Sequence, residues 1–284
     1  MRRILHICAG WQETNGAAVI ARLIAGEQSA GGDWTALRTW AGIGAIRAAD
    51  EVWIHCGWKP CLWWATLWAV RLRKPVIWVP EACYDPIRLA YHGWKKRLVG
   101  PIERFCLRRV SRIVATCEAE RGWVKSYLGL KDDALPRVEV SDIRRFFAFR
   151  LPVRTGAARR RPLHLLYLGR RHPLKGLDVL EAAMRRIGKG MCELRIESGL
   201  HGAAKEAAWE WCDCLVLPTL SDNFGLVVAE ALAHGRSVIT TDGAPAWSDQ
   251  EGVTYLEGYR TGTPERRVAL LAQAIEEACK AQVG

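Results

Sequence analysis

The sequence predicts an α/β protein of two domains, each a parallel sheet wound on both faces by helices. Three observations carry this. Short apolar segments of strand length alternate with helical stretches along almost the whole chain, the pattern left by parallel strands joined through crossover helices. At 284 residues the chain has reached the length at which a single core usually stops growing. The alternation breaks off at residues 155–162, TGAARRRP, a polar and basic stretch with no hydrophobic pattern, and then restarts. The expected domains are therefore 1–154 and 155–284. A cleft between their sheet edges is the default ligand site.

The first strand is expected at residues 4–8. Arg2 and Arg3 precede it, but the apolar run is short, contains His6 and gives way to Gln12, Glu13 and Asn15, so it reads as a strand rather than a signal peptide. A helix over 17–30 follows. Strands at 52–55, 75–79 and 113–116 and helices at 59–72, 98–110 and 118–128 complete the first domain. The longest apolar run, 61–70, is too short to span a bilayer and is bounded by Lys59, Pro60 and Arg71. Beyond the linker, strands are expected at 163–168, 194–197, 215–217, 238–241 and 253–256, with a closing amphipathic helix over 264–281.

Half of the residues are hydrophobic and a quarter charged, enough apolar material for two cores. The net charge of +11 favours anionic partners: phosphorylated small molecules, an anionic membrane surface or nucleic acid. Nucleic-acid binding is disfavoured because no recognisable reading motif accompanies the charge. The ten cysteines include no pair at the two-residue spacing of zinc or redox sites, and read as reduced thiols in a cytosolic protein. Cys212 and Cys214 lack further ligands nearby for a metal. No three-glycine fingerprint follows the first strand, which argues against a dinucleotide oxidoreductase.

The most informative segment is 217–245, LPTLSDNFGLVVAEALAHGRSVITTDGAP. Between Phe224 and Ala233 the only ionisable side chain is Glu230, in a helix whose apolar residues cover nearly every face. A carboxylate there needs a polar partner. Apolar strands flank the helix, so parallel pairing puts its N-terminus at the C-terminal edge of the sheet, where open α/β sheets bind ligands and where free N–H groups suit an anion. Two plainer readings stay open: Asp222 or Asn223 as an ordinary N-cap, and Glu230 paired with a local arginine or a backbone amide.

A second basic loop precedes it. The strand 163–168 runs into GRRHPLKG, where Gly169 permits a tight turn, Arg170 offers a planar fork of donors, and Lys175 stands just before a helix opening near Gly176. Either cation alone could be merely solvated; together with the anion-ready helix they would neutralise a diphosphate from two sides.

GRRHPLKG and SDNFGLVVAEALAHGRSVITTDGAPAW resemble the two motifs of the retaining GT-B glycosyltransferases, the group 1 or family 4 type that includes bacterial lipopolysaccharide and exopolysaccharide enzymes. The N-terminal segments DEVWIHCGW, RKPVIWVPEA and SRIVATCEAE resemble the strand ends of that family more weakly. The resemblance implies two Rossmann-like domains facing across a cleft, with the second shortened by roughly one strand–helix unit between Leu194 and Trp209. It further implies that Arg170 and Lys175 bind the donor diphosphate, Asp222 meets the donor sugar, and Glu230 takes the nucleotide ribose. Backbone amides of Asn223, Phe224, Gly225 and Leu226 would face sugar and phosphate, with Gly16 near the diphosphate.

The chain departs from the family pattern at three places. Asp222 replaces the usual glutamate, Gly16 stands where relatives carry paired glycines, and PEAC replaces a basic or histidine-bearing strand end. His55, at a strand end, is a candidate for acceptor contact, with a packed or capping histidine as the alternative.

The expected function is transfer, with retention and without a metal or other cofactor, from a nucleoside-diphosphate sugar, a UDP-sugar being favoured. The expected acceptor is a lipopolysaccharide, another cell-envelope glycan or a lipid-linked glycan. The other class considered is a sugar- or nucleotide-binding protein of the same fold with weak or no turnover. The expected location is the cytoplasm. The basic run Lys95, Lys96, Arg97, Arg104, Arg108, Arg109 and Arg112, with Trp63, Trp64 and Trp68, suits either peripheral contact with an anionic membrane or a solvated face over packed tryptophans.

Overall fold

The computed structural model describes residues 1–11, 16–91, 93–131, 134–150, 162–222 and 224–281. The chain divides into two compact units, Met1–Phe146 and Phe147–Gly284. Of the expected linker, 155–162, residues 155–161 lie outside the described residues.

Unit 1 runs β1 (Arg3–Cys8), α1 (Gly16–Ala30), β2 (Trp34–Arg38), α2 (Ile43–Ala48), β3 (Glu51–His55), α3 (Pro60–Arg71), β4 (Val76–Val79), α4 (Pro86–Ala90), α5 (Gly93–Leu107), β5 (Arg112–Ala115), α6 (Glu118–Leu128) and β6 (Arg137–Val140). Its six strands are all parallel, in the order β2-β1-β3-β4-β5-β6. The alternation of side chains along each strand divides the sheet into two faces. Leu5, Ile7, Val52, Ile54, Val76, Trp78 and Ile113 pack with α2, α3, α5 and α6. His6 and Cys8 face α1, as the contacts of His6 with Gln28 and of Cys8 with Ala17 and Ala18 show.

Unit 2 runs β7 (Leu163–Leu168), α7 (Leu177–Met184), β8 (Cys192–Glu197), α8 (Gly202–Trp211), β9 (Cys214–Leu217), α9 (Leu226–Ala233), β10 (Ser237–Thr241), β11 (Val253–Leu256) and α10 (Pro264–Ala281). The five strands are again parallel, ordered β11-β10-β9-β7-β8. Leu165, Tyr167, Val216 and Ile239 pack against α7 and α10, with Leu180, Leu271 and Ile275 inaccessible to solvent. Each such side chain contributes about 1.5–3 kcal/mol by leaving water.

Every expected strand is present. The structure adds β2 and β6, the two edges of the first sheet, the short helices α2 and α4, and helix α8 of the second unit. Helix α5 begins five residues before its expected start, and α9 begins at Leu226 rather than Phe224. The single helix α8 makes the whole connection between β8 and β9.

Candidate active site

The connectivity of the second sheet picks out one place on its rim. From β7 the chain steps outward to β8, returns to the other side of β7 as β9, and continues to β10 and β11. The loops leaving β7 and β9 therefore part from each other at the C-terminal edge, the position where open α/β sheets hold ligands.

These two loops carry the motifs singled out in the sequence, and they are tied together. The carbonyl of Leu174 accepts from the Leu220 N–H (2.8 Å) and from the Thr219 hydroxyl (2.8 Å). Gly176, at φ +66°, lies so near the second loop that a Cβ would stand 2.0 Å from the Pro218 carbonyl oxygen. The loop after β10 completes the rim: the Asp222 N–H donates to the Gly243 carbonyl (2.7 Å), and the Thr241 hydroxyl donates to the Thr219 carbonyl.

On this platform the Lys175 ammonium pairs with the Asp222 carboxylate, both side chains largely but not wholly shielded from water. The structure thus brings together two of the expected site residues that lie 47 positions apart in sequence. Arg170 is exposed on the first loop, its carbonyl accepting from the Tyr167 hydroxyl (3.1 Å). Asn223 lies outside the described residues. Phe224 is buried and its carbonyl accepts from the Trp247 indole N–H, so a ring from beyond β10 fixes the approach to α9.

Helix α9 is capped by Gly225 in the left-handed region (φ 66°, ψ 61°), with no side-chain cap. The N-cap is therefore not Asp222, whose carboxylate is turned to Lys175. A glycine-capped end keeps first-turn amides and the positive end of the helix dipole for a bound anion. Leu226, the first residue of the helix, is half-buried.

Glu230 corrects the sequence reading. It is neither sealed in nor orphaned: its Oε1 lies 2.6 Å from Lys205 Nζ, with the two side chains about a third and a quarter exposed, respectively. The partner comes from α8, which lies beside α9 and also sends Glu206 to His234 (3.0 Å) and Trp209 against the His234 ring (5.6 Å). The sequence analysis did not single out Lys205, and nothing local signalled that it would face Glu230.

The rim of the first sheet has the same topology, with its switch between β1 and β3. Gly16 opens α1 there and is exposed, next to residues outside the described ones. His55, at the end of β3, has no exposed surface. The expected acceptor contact gives way to a packed histidine, because the ring lies on the face covered by α1 and is engaged by its neighbours.

His55 Nε2 and His6 Nδ1 are 3.0 Å apart, and His6 Nε2 reaches the Gln28 side-chain oxygen (2.8 Å). With Gln28 accepting from His6, His6 accepts from His55, leaving the His55 Nδ1 lone pair facing Glu81 Oε1 at 3.5 Å. A proton on Glu81 fits that gap. Burial first, then Cys83 and Glu120, push the Glu81 carboxyl well above its ordinary range, while burial lowers His55 well below its own.

Two other buried acids hold this rim. Glu103 accepts from the Trp58 N–H (3.1 Å), the Tyr84 hydroxyl (2.6 Å) and the Trp63 indole N–H. Glu120 accepts from the Ala82 N–H and from the Thr116 N–H (2.7 Å) and hydroxyl (2.8 Å). They pin a backbone in which Cys56, Trp58, Glu81 and Ala82 all have φ between 55° and 69°, a conformation costly for residues with a Cβ. The sequence offered one signal for this cluster, a glutamate two residues after the apolar strand β4.

The buried histidines set a pH dependence. Burial lowers His6 from 6.5 to about 4, so the folded unit resists a proton that the unfolded chain accepts. Its contribution is complete above about pH 6.5 and is lost as pH falls toward about 4, worth about 3 kcal/mol at most. The raised Glu81, Glu103 and Glu120 act in the opposite sense, favouring the fold as pH falls. The slope of the unfolding midpoint between about pH 7 and about pH 5 is therefore expected to flatten in His6→Gln. Equal slopes, read by circular dichroism, would remove His6 as the cause.

Among the described residues, no group of three or more His, Cys, Asp or Glu is placed to hold a metal ion. Nor is any helix there long and apolar enough to cross a membrane.

Comparison with known proteins gives two family matches. A glycosyl transferase 4-like domain matches residues 5–141, and a group 1 glycosyl transferases domain matches residues 197–280. None of the curated proteins matches the chain. Among solved structures, Anabaena HepE in complex with UDP-glucose is similar at TM-score 0.68 and 12% identity, over 100% of this chain and 92% of that one. Sucrose-phosphate synthase from Thermosynechococcus elongatus is similar at TM-score 0.70 and 13% identity, over the same shares. WaaG, a glycosyltransferase involved in lipopolysaccharide biosynthesis, is similar at TM-score 0.63 and 12% identity, over 98% of this chain and 94% of that one. At these identities the likeness is one of fold.

Proposed function

We propose that this chain, which carries a glycosyl transferase 4-like domain in its first half and a group 1 glycosyl transferase domain in its second, transfers a sugar from a nucleoside-diphosphate sugar to a glycan hydroxyl. The observation that carries the proposal is the meeting of Lys175, Asp222 and the glycine-capped end of α9 at the switch point of the second sheet. A cation, a short acid and free helix amides at one rim suit a sugar diphosphate: the amides and Lys175 for the phosphates, Asp222 for sugar hydroxyls, and exposed Arg170 from the open side. Glu230, in the second turn of the same helix, has enough exposed surface to accept from a ribose diol.

In this reading the donor is a UDP-sugar and the acceptor a cell-envelope glycan. The bond from the anomeric carbon to the diphosphate oxygen breaks as the acceptor oxygen bonds the same face of that carbon, and the acceptor proton passes to the departing diphosphate. Configuration is retained. Arg170 and Lys175 carry the charge stabilisation that a metal supplies elsewhere. The reaction belongs, on the same reading, to the cytoplasm, where sugar nucleotides are held.

One observation favours a second reading, a binding protein without turnover: both acids proposed to meet the donor already hold lysines. Release of UDP from a UDP-sugar, with and without glycan acceptors, separates the two.

The donor site is tested by ligand-observed NMR over nucleoside-diphosphate sugars. At least one is expected to bind, and Glu230→Ala is expected to weaken it roughly tenfold, the worth of hydrogen bonds to a charged acceptor. Unchanged affinity in Glu230→Ala would remove the ribose role, and binding by none of the sugars would remove the function.

A further inference from the structure

Helix α5 has one side turned to the core and a row of apolar residues on the opposite side. Gly100, Glu103, Cys106 and Leu107 face inward and are buried. Trp94, Leu98, Ile102 and Phe105, spaced four, four and three residues apart, fall on the other side and are 66%, 76%, 39% and 46% exposed. That spacing makes one continuous stripe along the outer surface. An amphipathic helix of a water-facing surface would be expected to carry charge there.

The charge lies at the margins instead. Lys95, Arg97, Arg108 and Arg109 are exposed around the stripe. Residues 88–112 hold eight Lys or Arg and one acid, Glu103, which is buried among Trp58, Trp63 and Tyr84. The Lys95 ammonium lies 5.4 Å from the Trp94 ring and the Arg109 guanidinium 3.3 Å from the Phe105 ring, so both ends of the stripe pair an aromatic with a cation. On α3, which packs against α5, Trp64 and Leu67 are exposed, and the exposed Trp40 ring stacks on Trp64 (5.4 Å). Trp63 and Trp68, two of the tryptophans considered for membrane contact in the sequence, pack on the core.

We infer that the outer face of α5 docks on an anionic phospholipid surface, with Trp94, Leu98, Ile102 and Phe105 among the acyl chains and Lys95, Arg97, Arg108 and Arg109 at the phosphates. Apolar residues on one side, cations flanking them and aromatics at the boundary are the features of a helix that lies in the membrane interface. The absence of an exposed acid along 88–112 selects an anionic surface over an acid-bearing or neutral one. The inference is independent of sugar transfer and holds for a binding protein equally.

The test is co-sedimentation of the full chain with vesicles of equal parts phosphatidylglycerol and phosphatidylcholine, against phosphatidylcholine alone. The chain is expected to sediment with the anionic vesicles at low salt. The triple variant Trp94→Ser, Leu98→Ser, Phe105→Ser is expected to lose at least roughly tenfold in partitioning, with an unchanged unfolding midpoint, because all three side chains already face water. Failure of the wild type to bind anionic vesicles overturns the inference. So does undiminished binding by the triple variant, which would make attraction purely one of charge. Self-association that disappears in the triple variant, without vesicle binding, would assign the face to a second copy and also overturn it.

Discussion

Lys175→Ala is expected to lower UDP release from the bound UDP-sugar by about 100- to 1,000-fold, the usual loss on removing one well-aimed donor from a site where charge develops. The reasoning starts from position. Lys175 closes a short 3₁₀ turn (Pro173–Lys175) in the connection leaving β7 and Asp222 stands in the loop leaving β9, and their side chains meet. In the resting unit Asp222 holds the ammonium at the rim; a diphosphate arriving at the end of α9 offers it a stronger, doubly charged partner. The stability cost should be modest, about 1 kcal/mol, because the pair retains contact with water. Asp222→Asn is the companion: it keeps the shape, removes the charge and is expected to impair transfer less than Lys175→Ala. Wild-type UDP release in Lys175→Ala would end the role.

Gly176→Ala is expected to destabilise unit 2 by about 3 kcal/mol, combining left-handed backbone strain with overpacking. The added methyl would lie 2.0 Å from the Pro218 carbonyl oxygen, and that oxygen belongs to the backbone, which cannot swing aside as a side-chain tip can. Gly190→Ala isolates the two causes, since Gly190 also has positive φ (83°) but nothing within 4 Å of where its methyl would stand. Its expected cost is only the strain, about 1 kcal/mol. Equal shifts in urea midpoint for the two variants would show that the loops are not held as closely as described. A larger shift for Gly176→Ala is the expected result, since only there does the added methyl meet backbone, that of Pro218.

Much of this architecture was legible because buried parallel strands are nearly continuous apolar runs. ILHIC, VWIH and LHLLYL declare themselves, and so do helices such as α6, whose end is marked by Gly129 at φ 64°. The strands that escaped, WTALR and RVEV, are the two edges of the first sheet. Each has a solvated side and therefore lacks the uninterrupted run. At the candidate site, Arg170, Lys175 and Asp222 were readable as motifs, but the Lys175–Asp222 pair was not, since it depends on how β7 and β9 come to lie side by side. Glu230 shows the limit most clearly: a helix read alone predicts a stranded acid, whereas α8 supplies Lys205 across 25 residues of sequence. His55 was visible, but its partners His6 and Glu81, and the Gln28 that holds His6, come from three other segments.

The left-handed residues at the rim of the first sheet bear on the order in which that unit can assemble. Left to itself, the chain around Trp58 and Ala82 would relax to commoner backbone angles. What opposes this is Glu103, 45 positions from Trp58, and Glu120, 38 positions from Ala82, borne by α5 and α6. Contacts that distant carry a loop-closure entropy that must be met before they stabilise anything. The bends after β3 and β4 therefore cannot set until both later helices have docked, so this edge is finished last, after the strands that it crowns have already paired.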